Sequence, residues 1–140
     1  MEYAHYDQRW EGQVVDLWNR CCTFDPIDVQ KFRVQALFDD NFDPDLSWVA
    51  LEGDHVMGFA FGTKRKFPYL ERGLEPERGW VNVLFVAPEA RRRGVASELL
   101  SRVEDELASR GATNVTLGAY SPSYFFAGVD PENYPEAVAF

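Results

Sequence analysis

NVLFVAPEARRRGVASELL, Asn82 to Leu100, puts three consecutive arginines, Arg91, Arg92 and Arg93, where a helix is about to begin. Upstream, WVNVLFV (Trp80 to Val86) is almost wholly apolar, the pattern of a strand buried on both faces. Downstream, Val95, Ala96, Leu99, Leu100, Val103, Leu107 and Ala108 recur at helical spacing. Glu98 with Arg102 and Glu106 with Arg110 add favourable pairs one turn apart, and Gly111 is a natural stop. Asn114 to Ala119 then reads as another strand. Strand, helix and strand in so short a span form a βαβ unit, which implies two parallel neighbours.

The helix is expected to start near Arg93, with Gly94, Ala96 and Ser97 in its first turn. Amides there have no intrahelical acceptor. Gly94 has no Cβ, so a ligand can approach the backbone closely. Free amides, the positive end of the helix dipole and arginine side chains together suit a phosphate or pyrophosphate. The alternative is a solvated basic turn offset by Glu89, but cations at this helix end are unfavourable unless an anion joins them. The dinucleotide fingerprint GxGxxG and the P-loop GxxxxGK[ST] are both absent.

Working outward, Glu2 to Tyr6 alternates like a first strand, and Trp10, Val14, Leu17, Trp18 and Cys21 mark an amphipathic helix. A second helix is expected over 25–38, with Pro26 in its first turn. Asp39 to Asp45 is a loop by composition. Leu46 to Leu51 and Val56 to Thr63 read as a hairpin, in which Gly58 and Gly62 mark a bulge or a close backbone approach. The charged connector over 64–79 is expected to be surface and mobile. No internal repeat, domain linker or low-complexity tract interrupts the chain.

With 140 residues and 46% hydrophobic content, the chain is expected to be one domain with one core. Aromatics reach 15%, many in loop-like segments, where they line a ligand site or lid a core. A net charge of -9 argues against nucleic acid as partner. It favours cationic partners, amines among them, or serves solubility alone. No stretch has the length of a membrane span, and the polar N-terminus lacks a signal peptide's apolar region. Cys21 and Cys22 are adjacent and frame no disulfide, and His5 and His55 lack ligand spacing, so no metal is expected. A cytoplasmic, reducing home fits these features.

VAPEARRRGVASELL resembles the acyl-CoA motif of the GNAT superfamily of N-acyltransferases, with Val86, Pro88, Arg91, Gly94 and Ala96 on the matching positions. The order of elements matches as well. The resemblance implies an α/β (α+β) fold, with a mixed, mostly antiparallel sheet flanked by helices. It implies acetyl-CoA as co-substrate, with the pantetheine arm along Leu84, Phe85 and Val86. The pyrophosphate would lie on the turn Arg91, Arg92, Arg93, Gly94, Val95, Ala96 and Ser97. Asn133 matches a position often near the coenzyme A arm, though an N-cap explains an Asn there equally well. The implied reaction is direct acetyl transfer to an amine of a small molecule or protein. The parallel strands must splay to admit the pantetheine.

Two departures bear on catalysis. Many members carry a glutamate on the central strand where this chain has Asn82 and Val83. Glu75 and Glu77 are then the nearest carboxylates by sequence, and Glu77 is taken as the candidate base, with a structural or solubilising role as the plainer reading of both. The chain also ends at Phe140, ahead of a tyrosine that often protonates the leaving thiolate and of the fold's last two strands. Tyr120 and Tyr124 are the stand-in acids, with a core lid as the plainer role. The reading is of one domain over 1–140, incomplete at its C-terminus: a truncated piece, part of a longer protein, or a chain borrowing strands in a homodimer. A non-catalytic acyl-CoA-binding module, half of a tandem-domain enzyme, and a scaffold contacting an acidic partner are the alternatives. The acceptor pocket is expected between the first two helices and the connector, with Trp10, Trp18, Phe24, Phe67, Tyr69 and Trp80 as an aromatic wall. Aspartates over 39–45 would attract a cationic amine.

Overall fold

The apolar run at 80–86 becomes β4 (Arg78–Val86), flanked by β3 (His55–Thr63) and β5 (Asn114–Leu117). This arrangement comes from a computed structural model describing residues 1–118, 120, 132 and 134. Among the described residues, β1 (Glu2–His5) and β2 (Ser47–Glu52) bring the sheet to five strands in the order β1-β2-β3-β4-β5. The first four strands are antiparallel neighbours, and β5 joins β4 in parallel, so the mixed, mostly antiparallel sheet is as expected.

One sheet face packs on α3 (Val95–Ser109) and the other on α1 (Glu11–Cys21) and the short α2 (Val29–Phe32). Glycine makes the first contact possible. A Cβ on Gly62 would lie 2.5 Å from Val103 Cγ1 and 2.8 Å from the Trp80 carbonyl oxygen. A Cβ on Gly58 would lie 2.9 Å from Leu99. The opposite face carries an aromatic cluster: Phe59 stacks with Tyr6, Phe32, Phe61 and Phe85, and Phe85 meets Trp18. Ring pairs of this kind, here edge-on or tilted, contribute beyond their buried area.

Both glycines also sit at register shifts. Ala50 pairs with Gly58 but Leu51 with Val56, and Phe61 pairs with Val83 but Gly62 with Val81. Asn82 is therefore an extra residue on β4, a bulge facing β3.

Two local expectations are corrected. The second helix begins at Val29, so Pro26 lies outside it. The Asn19 side chain both donates to the Ile27 carbonyl and accepts from its N–H, holding that segment off helical geometry. Asp28 then serves as N-cap, accepting from the Lys31 amide. Beyond Phe32 the helix widens into a π-turn over Arg33–Leu37, where the Phe38 amide reaches back to the Arg33 carbonyl. The connector over 64–79 is not wholly surface. Arg65 is 5% exposed and its guanidinium is fully covered.

Candidate active site

The helix α3 starts at Val95, with Gly94 as its N-cap in the left-handed region at φ 78. Arg92 also takes positive φ, at 63, a conformation that costs a non-glycine residue energy. The first intrahelical bond runs from the Glu98 amide to the Gly94 carbonyl. The amides of Val95, Ala96 and Ser97 thus have no helical acceptor. A Cβ on Gly94 would meet nothing within 4 Å, so the backbone there is open to an incoming group.

The arginines divide their work. Arg91 Nε donates to the carbonyl of Val86, the last residue of β4, at 3.0 Å. Arg93 reaches Glu52 at 3.5 Å on the surface. Arg92 is exposed and forms no ion pair among the described residues. Glu89 is engaged by Arg20 at 2.7 Å and also lies within electrostatic reach of Arg91. The Cys21 thiol shares the Val86 carbonyl at 3.3 Å. Burial pushes the Cys22 thiol up to about 12 and raises Cys21 as well, so both stay protonated at neutral pH.

β4 and β5 separate toward this turn. Their pairing runs from Arg78 opposite Asn114 to Val81 opposite Leu117, and the Gly118 amide closes on the Val81 carbonyl. From Asn82 to Val86 the β5 side of the strand has no partner strand among the described residues. The gap therefore opens at the Asn82 bulge and leads to the arginines. On the face opposite α3, buried Asn82 pairs through its Oδ1 with the Thr63 hydroxyl at 2.9 Å.

A cavity of ≈ 260 Å³ lies between the loop at 38–41 and the connector. Asp39, Asp40, Phe67, Tyr69, Arg65 and Tyr120 are among its lining residues. Tyr120 is buried edge-on against Trp80, ring centroids 5.3 Å apart. Its hydroxyl donates to Asp39 at 3.1 Å and accepts from the Asn41 amide at 2.8 Å. Burial pushes that hydroxyl up to about 12. Arg65 is boxed by Trp80, Tyr120 and Tyr69, whose centroids lie 4.8, 4.9 and 5.1 Å from its guanidinium carbon.

The profile of the "Acetyltransferase (GNAT) family" matches residues 12–125. The chain belongs to this family.

Among curated relatives, an acetyltransferase of Sodalis glossinidius is 32% identical over 105 residues, covering 75% of this chain and 66% of the relative. An acetyltransferase of Pectobacterium atrosepticum is 32% identical over 117 residues, covering 84% and 74%. An aminoglycoside 6'-N-acetyltransferase solved with coenzyme A superposes with a TM-score of 0.66 at 19% identity, over 84% of this chain and 61% of that one. At that identity the superposition speaks for the fold. This GNAT chain spans about two thirds of the length of the first curated relative.

The GNAT chain places the remaining sequence candidates as follows. Leu84, Phe85 and Val86 line the strand beside the gap, opposite Ala60, Phe59 and Gly58 of β3. Glu77 is exposed just before β4, at the opposite end from the arginines, and its main-chain carbonyl accepts from Thr113 and Asn114. Glu75 is clamped by Arg65 at 3.1 Å and Arg78 at 2.8 Å. Burial raises the Glu75 carboxyl, but the two guanidinium bonds outweigh it and hold it below the usual range. Tyr124 and Asn133 lie outside the described residues. Trp10 and Trp18 are core residues and do not line the cavity, whereas Phe67 and Tyr69 do. Within the loop, Asp43 is engaged by Arg110 at 2.5 Å and Lys66 at 3.4 Å, leaving Asp39 and Asp40 on the cavity.

Two residues of the site escaped the sequence reading. Arg65 sits in KRK and carries the composition of a solvated run. Asn41 looks like a loop polar residue, yet it is buried and its Oδ1 accepts from the Lys66 and Phe67 amides at 2.6 and 2.8 Å. Neither has a periodic signal.

Among the described residues no group of His, Cys, Asp and Glu side chains is placed to hold a metal, and no helix is long and apolar enough to cross a membrane.

Proposed function

We propose that this chain transfers the acetyl group of acetyl-CoA to an amine. The observation that carries the reading is the strand gap opening at Asn82 and ending on the open amides at Gly94 to Ser97. Diphosphate oxygens accept from the Val95, Ala96 and Ser97 amides while Arg91, Arg92 and Arg93 supply positive charge. The pantetheine arm follows the strand-free edge of Leu84 and Phe85 toward Val86, taking the place of a neighbouring strand.

The chemistry balances simply. The acceptor ammonium first loses a proton to water or a carboxylate, because only the neutral amine is nucleophilic. Its nitrogen attacks the thioester carbonyl, the C–N bond forms and the C–S bond breaks. The second amine proton ends on the coenzyme A thiolate. In this scheme backbone amides at the end of β4 stabilise the oxyanion formed before the C–S bond breaks. Asn82, at the mouth of the gap, orients the carbonyl or a water. Tyr120, whose proton is held by burial and already donated to Asp39, acts in this scheme on the acceptor side. Glu77 lies at the far end of β4 and serves the fold through its carbonyl. The free thiols Cys21 and Cys22 suit a reducing compartment such as the cytoplasm.

A non-catalytic coenzyme-binding module is the less favoured reading, since the matching relatives are named acetyltransferases. Calorimetric titration with acetyl-CoA, beside an Arg91→Ala, Gly94→Trp double variant, tests the site. Micromolar binding lost in the variant supports it, and an unchanged affinity in the variant sinks it.

A further inference from the structure

Arg65 is the least expected group in the molecule. Its side chain is wholly buried, and only Nε has a hydrogen-bond partner, Glu75 at 3.1 Å. Nη1 and Nη2 have none among the described residues. A buried donor without an acceptor is costly, and a buried charge more so. Glu75 must also serve Arg78, so two guanidinium groups share one carboxylate and the cluster carries one excess positive charge. The three surrounding rings soften this through their faces, but a ring face is a weak acceptor beside an anion.

The same cavity carries the opposite charge at its other side. Arg65 lies against the Tyr120 ring, and the Tyr120 hydroxyl is bonded to Asp39. One ring width therefore separates a guanidinium with two unsatisfied nitrogens from a carboxylate, and Asp40 adds a second acid beside Asp39. The hollow lined by Glu11 and Arg33 next door differs: those two groups satisfy each other at 2.6 and 2.9 Å.

We propose that the acceptor is a free amino acid, its carboxylate taken by Nη1 and Nη2 of Arg65 and its amino group lying toward Asp39 and Asp40. The proposal rests on the acetyltransferase reading and names the substrate class of that site. Size agrees with it: ≈ 260 Å³ falls just below the roughly 300–1,000 Å³ of pockets that enclose drug-sized ligands. Exposed Phe38, Phe67 and Val34 at the rim offer an apolar seat for the side chain. Half-buried Tyr69 is the ring that must swing for the carboxylate to enter.

The test compares L-phenylalanine, L-phenylalaninamide and 2-phenylethylamine, three amines differing at one group. Each is followed by thermal shift without acetyl-CoA and by thiol release with it. The amino acid should raise Tm most and show kcat/KM roughly ten- to a hundredfold above both analogues, the range of a hydrogen-bonded charge. Arg65→Lys should compress that ratio while leaving acetyl-CoA affinity unchanged. If that variant fails to fold, the wild-type ratio alone decides. Equal or better use of 2-phenylethylamine overturns the proposal, and so does an Arg65→Lys protein that keeps the full ratio. Acetyl-CoA binding with no thiol release from any amine overturns the transferase reading instead. In that case a Tm rise specific to the amino acid still supports the Arg65 site, and no rise defeats it.

Discussion

The Arg91 guanidinium is anchored to the Val86 carbonyl, 3.0 Å away, so a side-chain bond ties the first arginine of the turn to the last residue of the central strand. The strand edge along which the pantetheine arm is proposed to run and the turn proposed to hold its diphosphate are therefore joined at a single carbonyl. Arg91→Lys keeps the charge but loses the planar fork that makes this bond. Its acetyl-CoA Kd should rise by roughly tenfold, the equivalent of one hydrogen bond to a charged group. Calorimetry at low and high salt checks this. An unchanged Kd would mean that the anchor does not position the turn.

The clamp on Glu75 should matter to stability more than to chemistry. Glu75 holds the wholly buried Arg65 and the half-buried Arg78, and it does so from a positive-φ backbone at φ 47. Removing its carboxylate strands a buried charge. Glu75→Ala should cost about 3 kcal/mol or more in urea unfolding. A loss under ~1 kcal/mol would show that the rings around Arg65 suffice without it.

Gly62→Ala should destabilise through close contact. The added methyl would meet Val103 on α3 and the Trp80 carbonyl on β4, and backbone yields less readily than a side chain. About 1–3 kcal/mol is expected from thermal unfolding. The same push would disturb the bulge, so thiol-release activity should fall further than acetyl-CoA affinity.

Alkaline stability should depend on Tyr120. Its folded hydroxyl is pushed up to about 12 by burial, against an ordinary value of 10.0. The unfolded chain gives up this proton first, so the raised value favours the fold while the group stays protonated in both states. That contribution is whole below pH ~10 and drains away as pH climbs toward ~12. Tyr120→Phe should flatten the decline in that window. An identical decline in the variant would assign it to other groups.

The parts of this molecule that were legible in the sequence are those whose cause is local. The apolar run ending at Val86 and the 3.6-residue spacing from Val95 to Leu107 announce β4 and α3 by periodicity alone. Gly94 is readable because a helix start beside arginines asks for an anion. The start of α2 was misplaced because Asn19, eight residues before Ile27, decides it through side-chain bonds that no local rule contains. Arg65 was hidden for the same reason. Its cage comes from the connector, β4 and Tyr120, which lies well beyond it in sequence. Charge runs normally stay in water, and only the fold reveals that one member of KRK does not.

The extra residue at position 82 has a consequence for what this sheet can tolerate. Val81 stands opposite Gly62 and shares its α3-facing side, while Val83 stands opposite Phe61 on the other. Strike Asn82 out and these neighbours still alternate correctly, so every core side chain keeps its face. The folding pattern is thus written without position 82. A residue left out of the alternation can be exchanged for another polar type without moving a hydrophobic partner. The scaffold so holds one place, at the mouth of its gap, where chemistry is free to change while architecture stands still.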